Sequence, residues 1–268
     1  MQPNIGQILE LLDRIAPQSL AEEWDNPGLQ VGGRRDPVNK ILISLDPTLE
    51  ALHAAAEFQA QVLLAHHPLI FKPLTSLERD TYPGTVLWEA VQRGVAVLAA
   101  HTNLDAAEKG INDQLARLMG LLDARSLQEV ENRETAVGLG RIGRLEEPRA
   151  LSDLVQKVKA ALGVGTVRVT GEAEKIIRTA AVVGGSGGSL IGAASRAGAD
   201  VLITGDIGHH HALTAQSLGL AVVDAGHFET EKAALAGFRD LLASRMHALQ
   251  WDVEAVVFRG EKPPVRSE

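Results

Sequence analysis

The chain has 268 residues, 45% apolar and 22% charged, with a formal net charge of −8, the balance of a soluble globular protein built as one large domain or two small ones. The negative charge argues against a protein that coats duplex nucleic acid, which shows a basic face. Cysteine is absent, which removes disulfides, thiolate metal sites and a cysteine nucleophile. A reducing compartment fits that absence, no apolar run approaches the roughly 18 residues of a membrane span, and the first residues lack the basic start of a signal peptide; the reading is a cytoplasmic protein.

In chain order, Ile5, Ile8, Leu9 and Leu12 recur at helical spacing within residues 3–16, and Pro17 closes the segment. A polar loop, AEEWDNPGLQVGG, follows. KILISLD (40–46) predicts a buried strand, Thr48–Gln59 a helix, QVLLA (61–65) a strand, Thr85–Arg93 a helix, VAVLAA (95–100) a strand and Ile111–Leu118 a helix. Near-continuous Val/Ile/Leu runs between helices imply a mainly parallel sheet covered on both faces. Residues 121–175 carry more charge; 132–148 reads as a strand pair, Ala150–Leu162 as an amphipathic helix and Thr166–Thr170 as a strand, together a connection with its own secondary structure. The first pattern then returns. Strands are expected at 176–185, 200–204, 220–225 and 253–258, with helices at Ser189–Arg196, His210–Leu218 and Glu229–Arg245, and the tail from Arg259 is expected to fray. HTNLD (101–105) and HFETE (227–231) each follow the third strand of their half, which suggests an internal duplication. The expected fold is α/β, two similar halves with mainly parallel sheets packed by helices. It forms a single domain over 1–262, with lobes at about 1–120 and 176–262, the connection 121–175 between them, and a frayed tail at 263–268.

Seven of the nine histidines fall at His66-His67, His101, His209-His210-His211 and His227, each place at or just past the C-terminal end of a predicted strand. In open parallel sheets ligands bind at that edge. Asp105, Asp206 and Glu231 share the same loops. His66-His67 reads either as a pair of metal ligands or as histidines capping loop carbonyls. His227 and Glu231, four apart at a helix start, share one helix face and read as ligands or as a surface ion pair. The conjunction of four such clusters favours a metal site. Without thiols the donors are imidazole and carboxylate, suited to zinc, manganese or iron. A set this large suits two divalent ions, which would activate a water and stabilise charge developing on a substrate oxygen. The turn Gly184–Ser189 could present backbone N–H groups to a phosphate or serve tight packing. Glu22–Asn26 reads as a buried tryptophan, Trp24, among solvated acids.

EEWDNPGLQVG (22–32), LLAHHPLIF (63–71), AAHTNLD (99–105), GGSGGS (184–189), GADVLITGDIGHH (198–210) and DAGHFETE (224–231) together resemble the GTP cyclohydrolase 1 type 2 homologue family, also called Nif-three-like. The motifs run in the family's order over most of the chain. The resemblance implies two similar α/β halves around a dinuclear metal centre and a ring-like homohexamer. It implies His66, His67, Asp105, His227 and Glu231 as metal ligands, Glu231 bridging, with His101 and His210 near the centre and suited to moving protons. Residues 121–175 are too few for the inserted domain of longer members, so the chain resembles the short form. Pro27 and the triple histidine 209–211 depart from the family pattern. The implied function is a metal-dependent hydrolase of a nucleotide or another phosphorylated compound. The alternative is a non-catalytic metal-binding protein, or a scaffold or regulatory ring.

Overall fold

The structure, a computed structural model, describes residues 1–129 and 137–265. Part of the expected 132–148 strand pair and the end of the tail, 266–268, therefore lie outside the described residues. The chain divides into two compact units. The first comprises Met1–Ala107 and Leu235–Lys262; the second comprises Glu108–Ala234 and the tail from Pro263.

The first unit opens with α1 (Ile5–Ile15), where Asn4 and Gln7 form a capping box: each side chain accepts from the other's backbone N–H. Ile5, Ile8, Leu11 and Leu12 make its buried face. Strand β1 (Gly28–Val31) follows, inside the segment read as a loop. It is a four-residue edge strand with no fully buried position and no alternation, so it left no pattern to read. Then come β2 (Lys40–Ser44), α2 (Leu49–Glu57, its N-terminus capped by the Thr48 side chain), β3 (Val62–Ala65), α3 (Gly84–Arg93), β4 (Ala96–Ala99) and the one-turn α4 (Thr102–Ala106). Gly94, in the left-handed region at φ 65°, ends α3.

The second unit contains α5 (Ile111–Met119), β5 (Leu121–Glu129), β6 (Gly138–Ala150), α6 (Leu151–Leu162), β7 (Arg168–Thr170), β8 (Ile176–Ser186), α7 (Ile191–Arg196), β9 (Val201–Gly205), α8 (His209–Ser217), β10 (Ala221–Asp224) and α9 (His227–Lys232). The chain then re-enters the first unit as α10 (Leu235–Ala248) and β11 (Glu254–Val257). The helix expected over Glu229–Arg245 is thus two helices, broken where the Ala234 N–H donates to the Glu231 carbonyl. Segment 121–175, expected as a connection, supplies three strands and a helix to the second unit. Nor does the expected lobe ending at 262 hold together as one unit, since its last helix and strand belong with the first.

Among the described residues the first sheet has the order β1-β4-β3-β2-β11 and the second β5-β6-β8-β9-β10-β7. In the first, only β1 runs antiparallel to its neighbour. The second is more mixed than expected: β8-β9-β10 are parallel, while β5, β6 and β7 pair antiparallel. The duplication is visible in the order itself. β1-β4-β3-β2 and β7-β10-β9-β8 are the same arrangement, an antiparallel edge strand beside three parallel strands that appear in the same chain sequence.

The parallel strands β2, β3, β4, β9 and β10 are buried on both faces, which is why they read as unbroken apolar runs. In the first unit, Leu42, Leu63 and Val97 of the sheet pack against Leu52 of α2 and Leu87 of α3. In the second, one sheet face packs on Leu115, Leu154 and Val158 of α5 and α6, and the other on Leu190, Ile191 and Ala215. Each such Leu or Val contributes about 1.5–3 kcal/mol by leaving water. These cores hold rigid the strand ends from which the histidines project.

Candidate metal centre

His66 and His67 prolong the β2–β3 ladder past the strand end: their N–H groups donate to the carbonyls of Ser44 and Leu45, each at 3.0 Å. The backbone at both positions is therefore fixed. The His66 side chain is fully buried, and its Nδ1 donates to the Ala100 carbonyl at 2.8 Å. Nδ1 of His67 donates to Asp46 Oδ1 at 2.8 Å. The Asp46 loop is held in turn by Glu261, whose Oε1 accepts from the N–H groups of Leu45 and Asp46 at 2.8 and 2.9 Å. This corrects the expectation that the tail frays from Arg259.

The third imidazole belongs to His101, which follows β4 and stands at the N-cap position of α4 without a capping hydrogen bond from its side chain. Its Nδ1 donates to Asp25 Oδ1 at 2.8 Å, while Asp25 Oδ2 accepts from both the N–H and the hydroxyl of Thr102. Asn103 completes the turn. Its Oδ1 accepts from the His101 N–H and its amide donates to the Ala16 carbonyl. Burial pushes the Asp25 carboxyl up, but the hydrogen bonds from His101 and Thr102, the His101 charge and the Asn26 N–H outweigh it and hold the group at about 2. The expectation for this loop holds for the exposed Glu22 and Glu23 and fails at Trp24 and Asp25. Trp24 is 56% exposed, whereas the Asp25 side chain has no exposed surface, because it is the acid, not the indole, that has partners inside.

The rings of His66, His67 and His101 lie 5.1–5.3 Å apart, and one ligand atom from each falls within 4.8 Å of the others. Asp105, on α4, places Oδ1 3.6 Å from His66 Nε2. That is long for a hydrogen bond but suits two donors that each reach about 2.0–2.2 Å to one ion.

In the second unit His227 opens α9, the equivalent position after the equivalent strand. Its Nδ1 donates to Asp206 Oδ2 at 2.8 Å, and its Nε2 lies 3.1 Å from Oε2 of the buried Glu231. Asp206 takes a left-handed φ of 58° just past β9, a conformation Asp tolerates better than most residues. Gly185, at φ +67°, leaves the space these two side chains occupy: a Cβ there would lie 2.2 Å from Glu231 Oε1 and 3.2 Å from His227 Nε2. The other glycines of this turn are also explained by packing. A Cβ at Gly187 would meet Thr204 Oγ1 at 2.3 Å, and one at Gly188 would meet His211 Nδ1 at 2.2 Å. The N–H groups of Gly184 and Gly185 already donate to Asn112 and Thr230. Of the two readings of Gly184–Ser189, the structure supports packing.

The Duf34/NIF3 (NGG1p interacting factor 3) family model matches residues 3–264. The chain belongs to the Duf34/NIF3 family. A Clostridium perfringens relative named GTP cyclohydrolase 1 type 2 homolog is 32% identical over 261 residues, which cover 97% of this chain and 98% of that protein. A Helicobacter pylori protein named GTP cyclohydrolase 1 type 2 is 33% identical, with 95% and 96% covered. The crystal structure of a Bacillus cereus protein related to NIF3 matches with a TM-score of 0.94 at 27% identity, over 99% of each chain.

In this Duf34/NIF3 chain the sequence-derived residues thus gather as two groups: His66, His67, His101 and Asp105 in the first unit, and His227 with Glu231 in the second. His210 stands apart. It is exposed in the first turn of α8, its ring 5.5 Å from that of His209. Sequence reasoning missed the supporting acids Asp25 and Asp46 and gave Asp206 no role. Asp46 ends the run LISLD at a strand terminus, and Asp25 sits in a motif already quoted for the resemblance; those were the available signals.

Proposed function

We propose that this Duf34/NIF3 protein is a metal-dependent hydrolase that holds two divalent ions per chain. Its ligands would be His66, His67 and Asp105 of the first unit and His227 and Glu231 of the second. The observation that carries this reading is the shared anchoring of the histidines. His66, His67, His101 and His227 each have Nδ1 tied to a carbonyl or carboxylate oxygen at 2.8 Å. This support fixes ring and tautomer; it assigns Nε2 as the coordinating nitrogen of His66, His67 and His227 and raises its basicity, the usual arrangement behind metal-binding histidines, and in His101 it turns Nε2 to proton transfer. Imidazole and carboxylate donors fit zinc, iron or manganese. The Gly185 hollow, in which a side chain would strike Glu231, fits a carboxylate kept in one orientation.

When bound, the ions supply Lewis acidity towards substrate oxygens. The chain's own residues do the rest. Asp46 and Asp206 keep His67 and His227 in the donor tautomer. His101 takes up or gives a proton at Nε2, while Asp25, held ionised, orients the ring and steadies its protonated form. We assign proton transfer to His101 rather than to His210, whose ring packs on its neighbour His209. The relatives' names favour a nucleotide or another phosphorylated compound as substrate, and the proposed assembly is a homohexameric ring.

The test is metal analysis of protein purified without a His tag, followed by a screen of nucleotides and phosphoesters in the matching metal. Turnover that requires the metal, and that falls at least 100-fold in His101→Gln with metal content unchanged, supports the hydrolase reading. Metal-replete protein with no turnover on any of them favours a non-catalytic metal-binding role.

A further inference from the structure

We infer that Glu261 is a positioning residue of the metal centre: it latches the segment after β11 onto the Asp46 turn and, through Asp46, fixes the ring of His67. The inference rests on the proposed role of His67 as a metal ligand.

β11 runs parallel to β2, with Glu254 beside Lys40 and Val257 beside Ile43, and the Phe258 N–H still donates to the Ile43 carbonyl at 2.7 Å. There the ladder stops. The chain bends at Leu45 and Asp46, and their two N–H groups converge on one oxygen, Glu261 Oε1, at 2.8 and 2.9 Å. Successive N–H groups aimed at one point form a nest for an anion, and the anion here is a side chain of the same unit. Glu261 is half-buried, while Arg259, Gly260 and Lys262 around it are exposed. Phe258 packs on the core that contains Leu42 and Leu52, so the segment reaches the turn from a fixed strand.

What the latch controls is the direction of the Asp46 carboxylate. That side chain is 35% exposed, so burial does not hold it and its backbone must. On one side Pro47 restricts the Asp46 backbone; on the other, the Leu45 and Asp46 N–H groups are tied to Glu261. Asp46 Oδ1 in turn accepts from His67 Nδ1 at 2.8 Å. His66 needs no such device, because its side chain has no exposed surface and its Nδ1 bonds a backbone carbonyl. His67 is the most exposed of the three clustered imidazoles, so its orientation depends most on its support, and that support runs from Glu261 through two backbone N–H groups and one carboxylate.

The test uses the full-length untagged protein in two measurements: zinc affinity against a competing chelator, and nitrogen NMR of the histidine rings in chelated protein. Glu261→Ala should lower zinc affinity about tenfold, the low end of what removing a ligand's support costs, with the far-UV spectrum unchanged. Glu261→Gln keeps an oxygen that accepts both N–H groups, so its affinity should stay within about threefold of wild type. Glu261→Asp, which withdraws the carboxylate by one methylene, should fall between the two and serves if the alanine variant does not fold. The deciding comparison is a double-mutant cycle with Asp46→Ala. Because Glu261 acts through Asp46, adding Glu261→Ala to Asp46→Ala should cost about twofold or less, whereas a contact that merely stabilises the fold would cost about the same in both backgrounds. In the ring spectra His67 should be protonated at Nδ1 in wild type and Glu261→Gln, and should become a mixture of tautomers in Glu261→Ala, with His66 and His101 unchanged. Additive losses in the cycle, or a His67 tautomer indifferent to Glu261→Ala and Glu261→Asp, would overturn the latch. Failure of the metal reading is separable. Wild-type protein that takes up no zinc removes that reading, and the ring spectra then decide the latch by themselves.

Discussion

Replacing Gly185 by alanine separates a structural glycine from one that shapes a metal site. Two costs are built into the position. At φ +67° a Cβ meets the following carbonyl, about 1–2 kcal/mol for any L-residue. The same Cβ would lie 2.2 Å from Glu231 Oε1, against an ordinary contact of about 3.5–4.0 Å, so Glu231 must move by more than about 1 Å. Misplacing a ligand's support typically costs 10–100-fold in metal affinity, and moving the ligand itself should cost at least that. The control is Gly219→Ala, at φ +66° with nothing within 4 Å of the added Cβ. It shares the backbone strain without the collision. Gly219→Ala should lose about 1–2 kcal/mol in urea unfolding, a fall in Tm of a few degrees for a chain of this size, and Gly185→Ala at least as much, because the collision adds to the strain. Only Gly185→Ala should lose metal in a titration against a competing chelator. Gly185→Ala with wild-type metal affinity, or equal loss in both variants, would refute the argument that Gly185 exists to seat Glu231.

Asp46→Asn and Asp206→Asn remove the carboxylates that fix His67 and His227; each should lower metal affinity about 10–100-fold with little change in far-UV signal, measured by competition with a chelator. Asp25 contributes to acid stability. Its carboxyl sits at about 2 when folded against an ordinary 3.8, so the contribution is present in full above about pH 4 and is lost as pH falls towards 2. In chelated protein, wild-type urea midpoints should therefore drop more steeply than those of Asp25→Asn between pH 4 and 2, and parallel curves would contradict it. Chelation alone should lower Tm without unfolding the chain at 25 °C, because the strand and helix cores are complete without an ion; a random-coil far-UV spectrum after chelation would contradict that.

Legibility from sequence followed burial. Strands buried on both faces, such as Val62–Ala65 and Val201–Gly205, were read within a residue or two, and so was the amphipathic α1. The half-buried edge strand Gly28–Val31 was not, because its position depends on pairing with β4, a segment some 70 residues away. For the same reason the membership of residues 121–175 and of Leu235–Val257 escaped: which sheet a strand joins is a long-range choice that local pattern does not carry. At the site, the candidate ligands were visible as His and carboxylate at strand ends. Their supports were not. Asp25 and His101 are 76 residues apart, and no spacing rule connects them. Trp24 was misjudged because hydrophobicity alone places an indole inside, whereas the neighbouring acid took the buried place through Thr102 and His101.

The most direct test of the metal centre is the metal content of untagged protein, determined by elemental analysis alongside Glu231→Gln, with His53→Ala and His247→Ala as controls. Both control histidines are exposed and lie outside the site. The expected result is about two divalent ions per wild-type chain, the same in both controls, and a sharp fall in Glu231→Gln, which keeps the shape and removes the charge. Wild-type protein without bound metal, or Glu231→Gln with undiminished metal, would contradict the claim that this cluster is a metal centre.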